Sequence, residues 1–190
     1  GLEPSKEGVE YAKENGIEAI HCGIERLDLV KDKSEVVLLL NVLEHLRKPE
    51  QTLLNIKEKV LTSNGMLVIE VPNDFNDFQI VADAEYDLDE WWVYPPNHIN
   101  YFSHDSLKEL LKGCGYKIVN CTSSFPLDIF LLFGDQYIGN PKLGRECHNK
   151  RVKFEHLMEK HGKAEKLKKF YNALSELNLG RSISVYATPI

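Results

Sequence analysis

Residues that can bind ligands or move protons follow directly on the most apolar stretch of the sequence. Val36–Leu40 is a run of five apolar residues, which is typical of a strand buried on both faces. Asn41, Glu44 and His45 follow within five residues of its end. Open parallel sheets bind ligands at the carboxyl ends of their strands, and histidine is the usual general base near neutral pH. We therefore predict a site here with His45 as a candidate base; a core strand leading into a solvated loop is the alternative.

A second histidine, His98, lies in the sequence Pro96-Asn97-His98-Ile99. This segment is also predicted to be a loop at the end of a strand, so His98 is the second candidate base. For both histidines, a structural role in which the ring hydrogen bonds to its own loop is the alternative.

The segment 74–102 has an unusual composition. Residues 74–90 include seven Asp or Glu and no Lys or Arg, and Trp91, Trp92 and Tyr94 follow. We predict a long connection with one short helix that forms a lid-like insertion, since long ordered loops are commonly functional. The three aromatic residues would then form a wall of a substrate pocket. The alternative is a solvated acidic face with aromatic side chains in the core.

The elements that must position these residues alternate along the chain. Caps and helical periodicity predict helices over 6–15, 50–61 and 104–112, and two more after residue 145 that are separated near Gly162. Short apolar or alternating runs predict strands at 17–22, 36–40, 66–71, 116–122 and 183–188. This alternation indicates an α/β fold with a parallel sheet. Residues 123–180 are predicted to be a helical insertion before the last strand. This insertion would either lie on the substrate side of the sheet or pack against the rest of the domain.

Composition narrows the function classes. A chain of 190 residues suits one domain, here taken as 1–190, and a net charge of −6 argues against a general nucleic-acid binder. The four cysteines form no CxxC pair, which disfavours a zinc site or a disulfide framework. Without a signal peptide or a long apolar run, we expect a cytoplasmic protein with no membrane partner. The composition leaves open whether the protein forms a homo-oligomer.

Several short motifs occur in a defined order. They are Gly1-Leu2-Glu3-Pro4-Ser5, Cys22-Gly23-Ile24-Glu25-Arg26-Leu27, Asn41-Val42-Leu43-Glu44-His45-Leu46, the turn at 61–67 and the stretch 96–103. Together they resemble class I S-adenosylmethionine-dependent methyltransferases, most closely the small-molecule type with a Val-Leu-Glu-His-Leu motif after the fourth strand. The resemblance covers at least residues 1–120. It implies a Rossmann-like sheet, mostly parallel with an antiparallel last strand, and helices on both faces.

The resemblance also implies where the cofactor, S-adenosylmethionine, binds. In the family, an acidic residue at the end of the second strand binds the ribose hydroxyls, and the loop after the third strand frames the adenine. The family often has Asp where this chain has Gly23, so an adenine hydrogen bond there must come from the backbone. The residues that match the cofactor site are Glu3, Pro4, Gly23, Ile24, Glu25, Asn41 and Val42.

The implied activity is transfer of a methyl group to a small-molecule acceptor, such as a sugar or another hydroxyl-bearing metabolite. Trp91, Trp92, Tyr94 and Arg181 would contact the acceptor, and the basic stretch 145–169 either faces solvent or meets an anionic acceptor. Some relatives bind a divalent ion at the turn after the fourth strand. Because Asn41 stands where those relatives carry another acid, we predict no metal; the alternative set is Glu44, His45 and His98.

One part of the family pattern has no match. The first strand, which lies at the centre of the family's sheet, and its Gly-x-Gly loop would precede Gly1. The one Gly-x-Gly in the chain, Gly113-Cys114-Gly115, follows the helix predicted at 104–112 and does not match that loop. The favoured expectation is that the natural N-terminus extends beyond Gly1. Re-pairing into a shortened sheet, or a strand supplied by a partner chain, would also account for the missing strand. A non-catalytic methyltransferase-like binding module, or a truncated fragment, is therefore the alternative function, and cofactor binding discriminates between the two classes.

Overall fold

Six strands and seven α-helices make up the computed structural model, which describes residues 1–190. The strands are β1 (Leu2–Glu3), β2 (Ile20–His21), β3 (Ser34–Leu40), β4 (Leu61–Pro72), β5 (Tyr116–Ser123) and β6 (Ser182–Pro189). The helices are α1 (Lys6–Glu14), α2 (Pro49–Asn55), α3 (Asp77–Tyr86), α4 (His104–Gly113), α5 (Ile129–Leu132), α6 (Pro141–Lys160) and α7 (Ala164–Glu176). None of the helices combines the length and apolar character that crossing a membrane requires.

The strands form two separate sheets. β1 and β2 pair in parallel, and the second sheet has the order β3-β4-β6-β5. β3 and β4 are parallel, whereas the last strand, β6, runs antiparallel to both of its neighbours. The predicted α/β class and the antiparallel last strand are confirmed. β1 and β3 share no backbone pairing, so the sheet is divided where the family pattern places its first strand.

The main core lies on one face of the larger sheet. Leu67, Ile69 and Val185 of the sheet pack with Leu53 of α2 and Leu107 of α4, and all five are fully buried. Each such side chain contributes roughly 1.5–3 kcal/mol by leaving water. Helices α2 and α4 are thereby fixed under the strands whose carboxyl ends carry the site.

The other face of β3 is open. Alternate residues of a strand point to opposite faces, and Leu39 is buried while Val36, Leu38 and Leu40 are each more than 50% exposed. The prediction that this strand is buried on both faces is therefore wrong. The physical reason is that the core forms on the Leu39 face only, and the opposite face borders the gap between the two sheets.

Local signals placed most helices correctly. Ser5 caps α1 by accepting a hydrogen bond from Gly8 N, and Ser103 caps α4 in a capping box with Ser106. The helix predicted over 50–61 is α2 followed by a π-helical turn at Ile56–Val60. The strand predicted over 17–22 shortens to β2, because it pairs only with the two residues of β1.

The predicted turn at 61–67 lies inside a longer strand instead. β4 begins at Leu61, which pairs with Ser34, and the next pair joins Val36 to Met66. Residues 62–65 of β4 thus lie opposite the single residue Glu35 of β3 and form a bulge.

The two predicted insertions have the expected helical content. The 74–102 segment contains one short helix, α3, whose N-terminus is capped by Asn76 and Gln79. Helices α5, α6 and α7 lie between β5 and β6, and Gly162 separates the last two with a φ of +68°. A positive φ there favours glycine, which is why the sequence signal was reliable.

Candidate functional site

A groove of about 1240 Å³ lies between the two sheets. It is bordered by the open face of β3 and by the loops that follow β1, β2 and β3. All of the predicted cofactor residues line it, namely Glu3, Pro4, Gly23, Ile24, Glu25, Asn41 and Val42. His45 also lines the groove, whereas Glu44, His98 and the predicted acceptor residues do not.

Two glycines allow acidic side chains to fold close to the backbone at one end of the groove. Glu3 Oε1 accepts a hydrogen bond of 2.8 Å from Ser5 N, and a Cβ on Gly8 would approach the Glu3 side chain to 2.8 Å. A Cβ on Gly23 would collide with Glu25 Oε2. Both carboxylates therefore sit at the carboxyl ends of β1 and β2, where they can accept hydrogen bonds from ligand hydroxyls.

Asn41 turns the chain sharply at the end of β3. Its φ is +53°, a conformation that Asn tolerates better than most residues, and its backbone N donates to Glu70 O at 2.8 Å. A short 3₁₀ helix, Leu43–His45, follows at once. This turn directs Glu44 into the protein and leaves His45 facing the groove.

Glu44, His45 and His98 form what we call the groove cluster. Glu44 is 1% exposed, and neither carboxylate oxygen has a hydrogen-bond partner. His45 Nε2 lies 3.8 Å from Glu44 Oε1, and the rings of His45 and His98 are 5.0 Å apart. His45 Nδ1 is 2.7 Å from Asn97 O. Because a carbonyl can only accept, Nδ1 carries the proton, and in the neutral ring Nε2 has a free lone pair.

The segment Asn97–Asn100 holds this cluster in place. Backbone N–H groups of Ile99 and Asn100 both donate to Glu44 O at 3.0 Å. The Asn100 side chain donates to Leu46 O at 2.7 Å and to Leu43 O at 3.2 Å. Sequence reasoning missed Asn100, since an Asn in a loop carries no local signal for a partner more than 50 residues away.

Burial shifts the pKa values of two groups in the groove cluster, Glu44 and His98. It raises the pKa of Glu44 above the usual range of a carboxylic acid. Burial, together with the nearby His45, lowers the pKa of His98. The lowered pKa favours the neutral form of the His98 ring, whose buried Nδ1 has no partner.

Asp74, just after β4, is a further buried acid that sequence reasoning did not single out. Its backbone N donates to Phe102 O, but its Oδ2 has no partner. Burial raises the pKa of Asp74 to about 6, opposed by the charge of Arg181.

A chain of aromatic contacts joins the groove cluster to the predicted acceptor residues. Ring centroids are separated by 5.9 Å for Tyr94–His98, 6.3 Å for His98–Tyr101, 6.0 Å for Tyr101–Phe75, 5.6 Å for Phe75–Trp92 and 4.7 Å for Trp92–Trp91. The indole Nε1 atoms of Trp91 and Trp92 are buried without a partner. Phe75 and Tyr101 complete this wall, and only the tertiary structure identifies them.

Arg181 lies outside the groove and is already paired. It donates to Asp128 Oδ1 at 3.1 Å, and the Tyr137 hydroxyl donates to the same oxygen at 2.9 Å. The carboxylate of Asp128 is 1% exposed, so this ion pair anchors the guanidinium near Asp74. Contact between Arg181 and an acceptor stays a prediction.

A second cluster consists of His104, Cys121, Ser123 and Ser175, and both ring nitrogens of its histidine have hydrogen-bond partners. We call it the core cluster. His104, at the start of α4, is 0% exposed. Its Nε2 is 3.1 Å from Ser123 Oγ, and its Nδ1 is 3.2 Å from Ser175 Oγ and 3.5 Å from Cys121 Sγ. Burial lowers the pKa of His104 to about 4. This ring links α4, β5 and α7 and is closed to solvent.

Comparison with known proteins is consistent with this geometry. The methyltransferase-domain family matches residues 3–120, and no curated protein matches the chain. A methyltransferase from Thermotoga maritima is similar to this chain at 22% identity and a TM-score of 0.52. The match includes 66% of this chain but only 58% of the Thermotoga protein. One from Archaeoglobus fulgidus has 15% identity and a TM-score of 0.55, covering 99% of this chain and 74% of its own.

A third structure was solved with a cofactor product. The plantazolicin methyltransferase BamL, in complex with S-adenosylhomocysteine, has 14% identity and a TM-score of 0.55, covering 100% of this chain and 66% of its own. At these identities the structures establish the fold, while the family match extends over more than half of the chain. The chain therefore belongs to the methyltransferase-domain family, in the class that uses S-adenosylmethionine.

Proposed function

We propose that the protein transfers a methyl group from S-adenosylmethionine to a hydroxyl group of a small-molecule acceptor, such as a sugar. The observation that carries this proposal is the position of His45. It lines the groove together with the seven cofactor residues and also belongs to the groove cluster. A base at the boundary between donor and acceptor is what methyl transfer to a hydroxyl requires.

The groove residues fit the adenosine half of the cofactor. Glu3, at the end of β1, can accept hydrogen bonds from both ribose hydroxyls, as acidic residues do in dinucleotide folds. Gly23 and Ile24 begin a 3₁₀ helix whose first backbone N–H groups face away from that helix, and these groups can bind the adenine edge. Asn41 and Val42 line the part of the groove next to His45. Bound there, the cofactor supplies an activated methyl group on a sulfonium.

The chemical step needs one proton acceptor. His45 Nε2 takes the proton that the acceptor hydroxyl loses, while the hydroxyl oxygen forms its bond to the methyl carbon. The electron pair of the broken C–S bond stays on sulfur. The Asn97 carbonyl keeps the His45 ring in the tautomer with a free Nε2, and His98 supports the ring from the side.

Unpaired polar atoms near the cluster favour a hydroxyl-bearing acceptor. Glu44 offers acceptor oxygens, and Trp91 and Trp92 offer N–H donors, all buried without a partner. A sugar supplies donors and acceptors that can satisfy both kinds of group. We further propose that the 74–102 insertion closes over this acceptor, with Tyr94 at its exposed edge.

A non-catalytic binding module is the second candidate function. The divided sheet favours it, because β1 and β3, whose following loops line the groove, share no backbone pairing. Cofactor binding separates the two candidates.

The test is calorimetric titration of S-adenosylhomocysteine into the wild-type chain and into Glu3→Ala. We expect the substitution to weaken binding by about 10-fold or more, since a charge-assisted pair of hydrogen bonds is lost. Glu14→Ala, an exposed residue of α1 outside the groove, is the matched control and should bind like the wild type.

Binding that requires Glu3 should be followed by a screen of sugars and other hydroxyl-bearing metabolites with methyl-labelled cofactor. Label transfer supports the enzyme. Binding without transfer to any acceptor would favour the module, and no binding at all would contradict the proposed cofactor site.

A further inference from the structure

Two buried acids at the carboxyl end of the larger sheet lack hydrogen-bond partners. Glu44 follows β3 and Asp74 follows β4, and these parallel strands are neighbours. Glu44 is 1% exposed and Asp74 is 4% exposed. Both oxygens of Glu44 and the Oδ2 of Asp74 are unpaired. Because buried polar groups are nearly always paired, we looked for the missing partner in a ligand.

The segment Ile99–Phe102 connects the two acids with the aromatic wall. Its first two backbone N–H groups donate to Glu44 O, and its last carbonyl accepts a hydrogen bond from Asp74 N. Between these contacts lies Tyr101, whose ring centroid is 6.0 Å from that of Phe75. The two acids therefore flank a segment whose aromatic side chain belongs to the wall.

No Lys or Arg pairs with either acid. Residues 74–102 contain neither residue type, and the ion pairs that the protein forms elsewhere leave both acids without a basic partner. Burial raises the pKa of Asp74 to about 6, and the charge of Arg181 opposes this shift. The guanidinium, however, donates its hydrogen bonds to Asp128. A positive group on a ligand would supply the partner that the chain does not.

The wall beside the acids suits an organic cation. Aromatic faces attract ammonium groups, and the rings of Phe75 and Tyr94 are accessible, since these residues are 45% and 58% exposed. The indole N–H groups of Trp91 and Trp92 are buried without a partner. An indole can only donate, so these two groups require oxygen atoms on the same ligand.

From this arrangement we infer that the methyl acceptor carries a protonated amino group beside its hydroxyl groups, as an amino sugar does. The carboxylates of Glu44 and Asp74 bind the ammonium group, whose three N–H donors can serve more than one oxygen. The indole N–H groups bind hydroxyl oxygens. That this ligand is the methyl acceptor rests on the proposed function, whereas its binding at the two acids does not.

The amino group is compatible with His45 as the base. Glu44 Oε1 lies 3.8 Å from His45 Nε2, so an ammonium group bound at Glu44 is close to the imidazole. A neighbouring positive charge disfavours a second one. The imidazole is thereby kept in its neutral form, which is the form that can take a proton from the acceptor hydroxyl.

The test uses tryptophan fluorescence, because Trp91 and Trp92 are the only tryptophans of the chain and both belong to the wall. Glucosamine and glucose form one pair of probes, and ethanolamine and ethylene glycol form another. The members of each pair differ by one amino group in place of a hydroxyl. At constant ionic strength, we expect the amino compound to bind at least about 10-fold more tightly, since charge-assisted hydrogen bonds are the stronger ones.

A substitution of Asp74 tests whether the acids cause this preference. Asp74→Asn keeps the size of the side chain, removes its charge and should remove most of the preference for the amino compounds. Asp105→Asn, an exposed residue of α4 outside the groove, is the matched control and should keep the preference. Circular dichroism shows whether each variant is folded.

Three results would overturn the amino-group site: equal binding of the amino and hydroxyl compounds, no fluorescence response to any of them, or an unchanged preference in Asp74→Asn. Transfer of labelled methyl groups to the same compounds is measured separately. Preferred binding of the amino compounds without transfer would contradict the proposed function alone. Equal transfer to the amino and hydroxyl compounds would contradict the amino-group site alone.

Discussion

The groove cluster and the core cluster both contain buried polar groups around histidine, yet they differ in one respect. In the core cluster, both nitrogens of His104 have partners on β5 and α7. In the groove cluster, Glu44 and the Nδ1 of His98 have none. A buried unpaired group costs free energy that folding alone does not return. We therefore propose that the core cluster serves stability and the groove cluster serves ligand binding.

The largest expected effect is on catalysis. Replacing His45 with Gln removes the proposed base and should lower the methyl-transfer rate by about 10²–10⁴-fold, the usual contribution of a positioned base. The free energy of unfolding should change by less than about 1 kcal/mol, because the ring is exposed. Single-turnover rates with labelled cofactor, and urea denaturation, measure the two quantities. If His45→Gln kept the wild-type rate of methyl transfer, the groove cluster would not be the catalytic site that distinguishes it from the core cluster.

The core cluster should show the opposite behaviour. His104→Ala should lower the free energy of unfolding by about 4 kcal/mol, since it leaves a cavity and removes the partner of two serine hydroxyls. Urea denaturation gives the value, and His156→Ala, exposed on α6, should stay within about 0.5 kcal/mol of the wild type. A small loss for His104→Ala would mean that the core cluster is not a structural anchor.

The pH dependence of stability should also be traced to His104. Its folded pKa of about 4 is below its unfolded value of 6.5, so the unfolded chain binds more protons between these values. The stabilising contribution is fully present above pH 6.5 and is lost as the pH falls towards 4, amounting to about 3 kcal/mol.

Asp74, whose folded pKa is raised to about 6, acts in the opposite direction over part of this range. The relevant measurement is therefore the difference between wild type and His104→Asn, in which the Asp74 contribution cancels. Denaturation curves at pH 7 and pH 4.5 should show a smaller gap at the lower pH. An unchanged gap would contradict the assignment.

The smallest effect is a gain in stability. Glu44→Gln should raise the free energy of unfolding by about 1 kcal/mol at pH 7, because it removes a buried carboxylate that has no partner. Thermal denaturation measures the gain, with the exposed Glu50→Gln as control. A loss of stability instead would show that Glu44 has a structural role like that of His104.

Much of the fold and half of the site followed from local patterns. Ser5 and Ser103 placed helix starts, and alternating or apolar runs placed five of the six strands. The seven cofactor residues came from a family resemblance. They line one groove because they lie at or after the ends of β1, β2 and β3, which border the groove from the two sheets. Such features depend on neighbours along the chain or on a known topology.

The sequence by itself determined the candidate residues, with His45 and His98 as predicted bases and Glu44 beside them in the alternative metal set. Only the tertiary structure decided that Glu44 is buried without a partner, that Asn100 clamps the turn, and that one face of β3 is open. The reason is physical. Periodicity and capping act over a few residues, whereas burial and hydrogen-bond pairing depend on groups that are brought together from positions more than 50 residues apart.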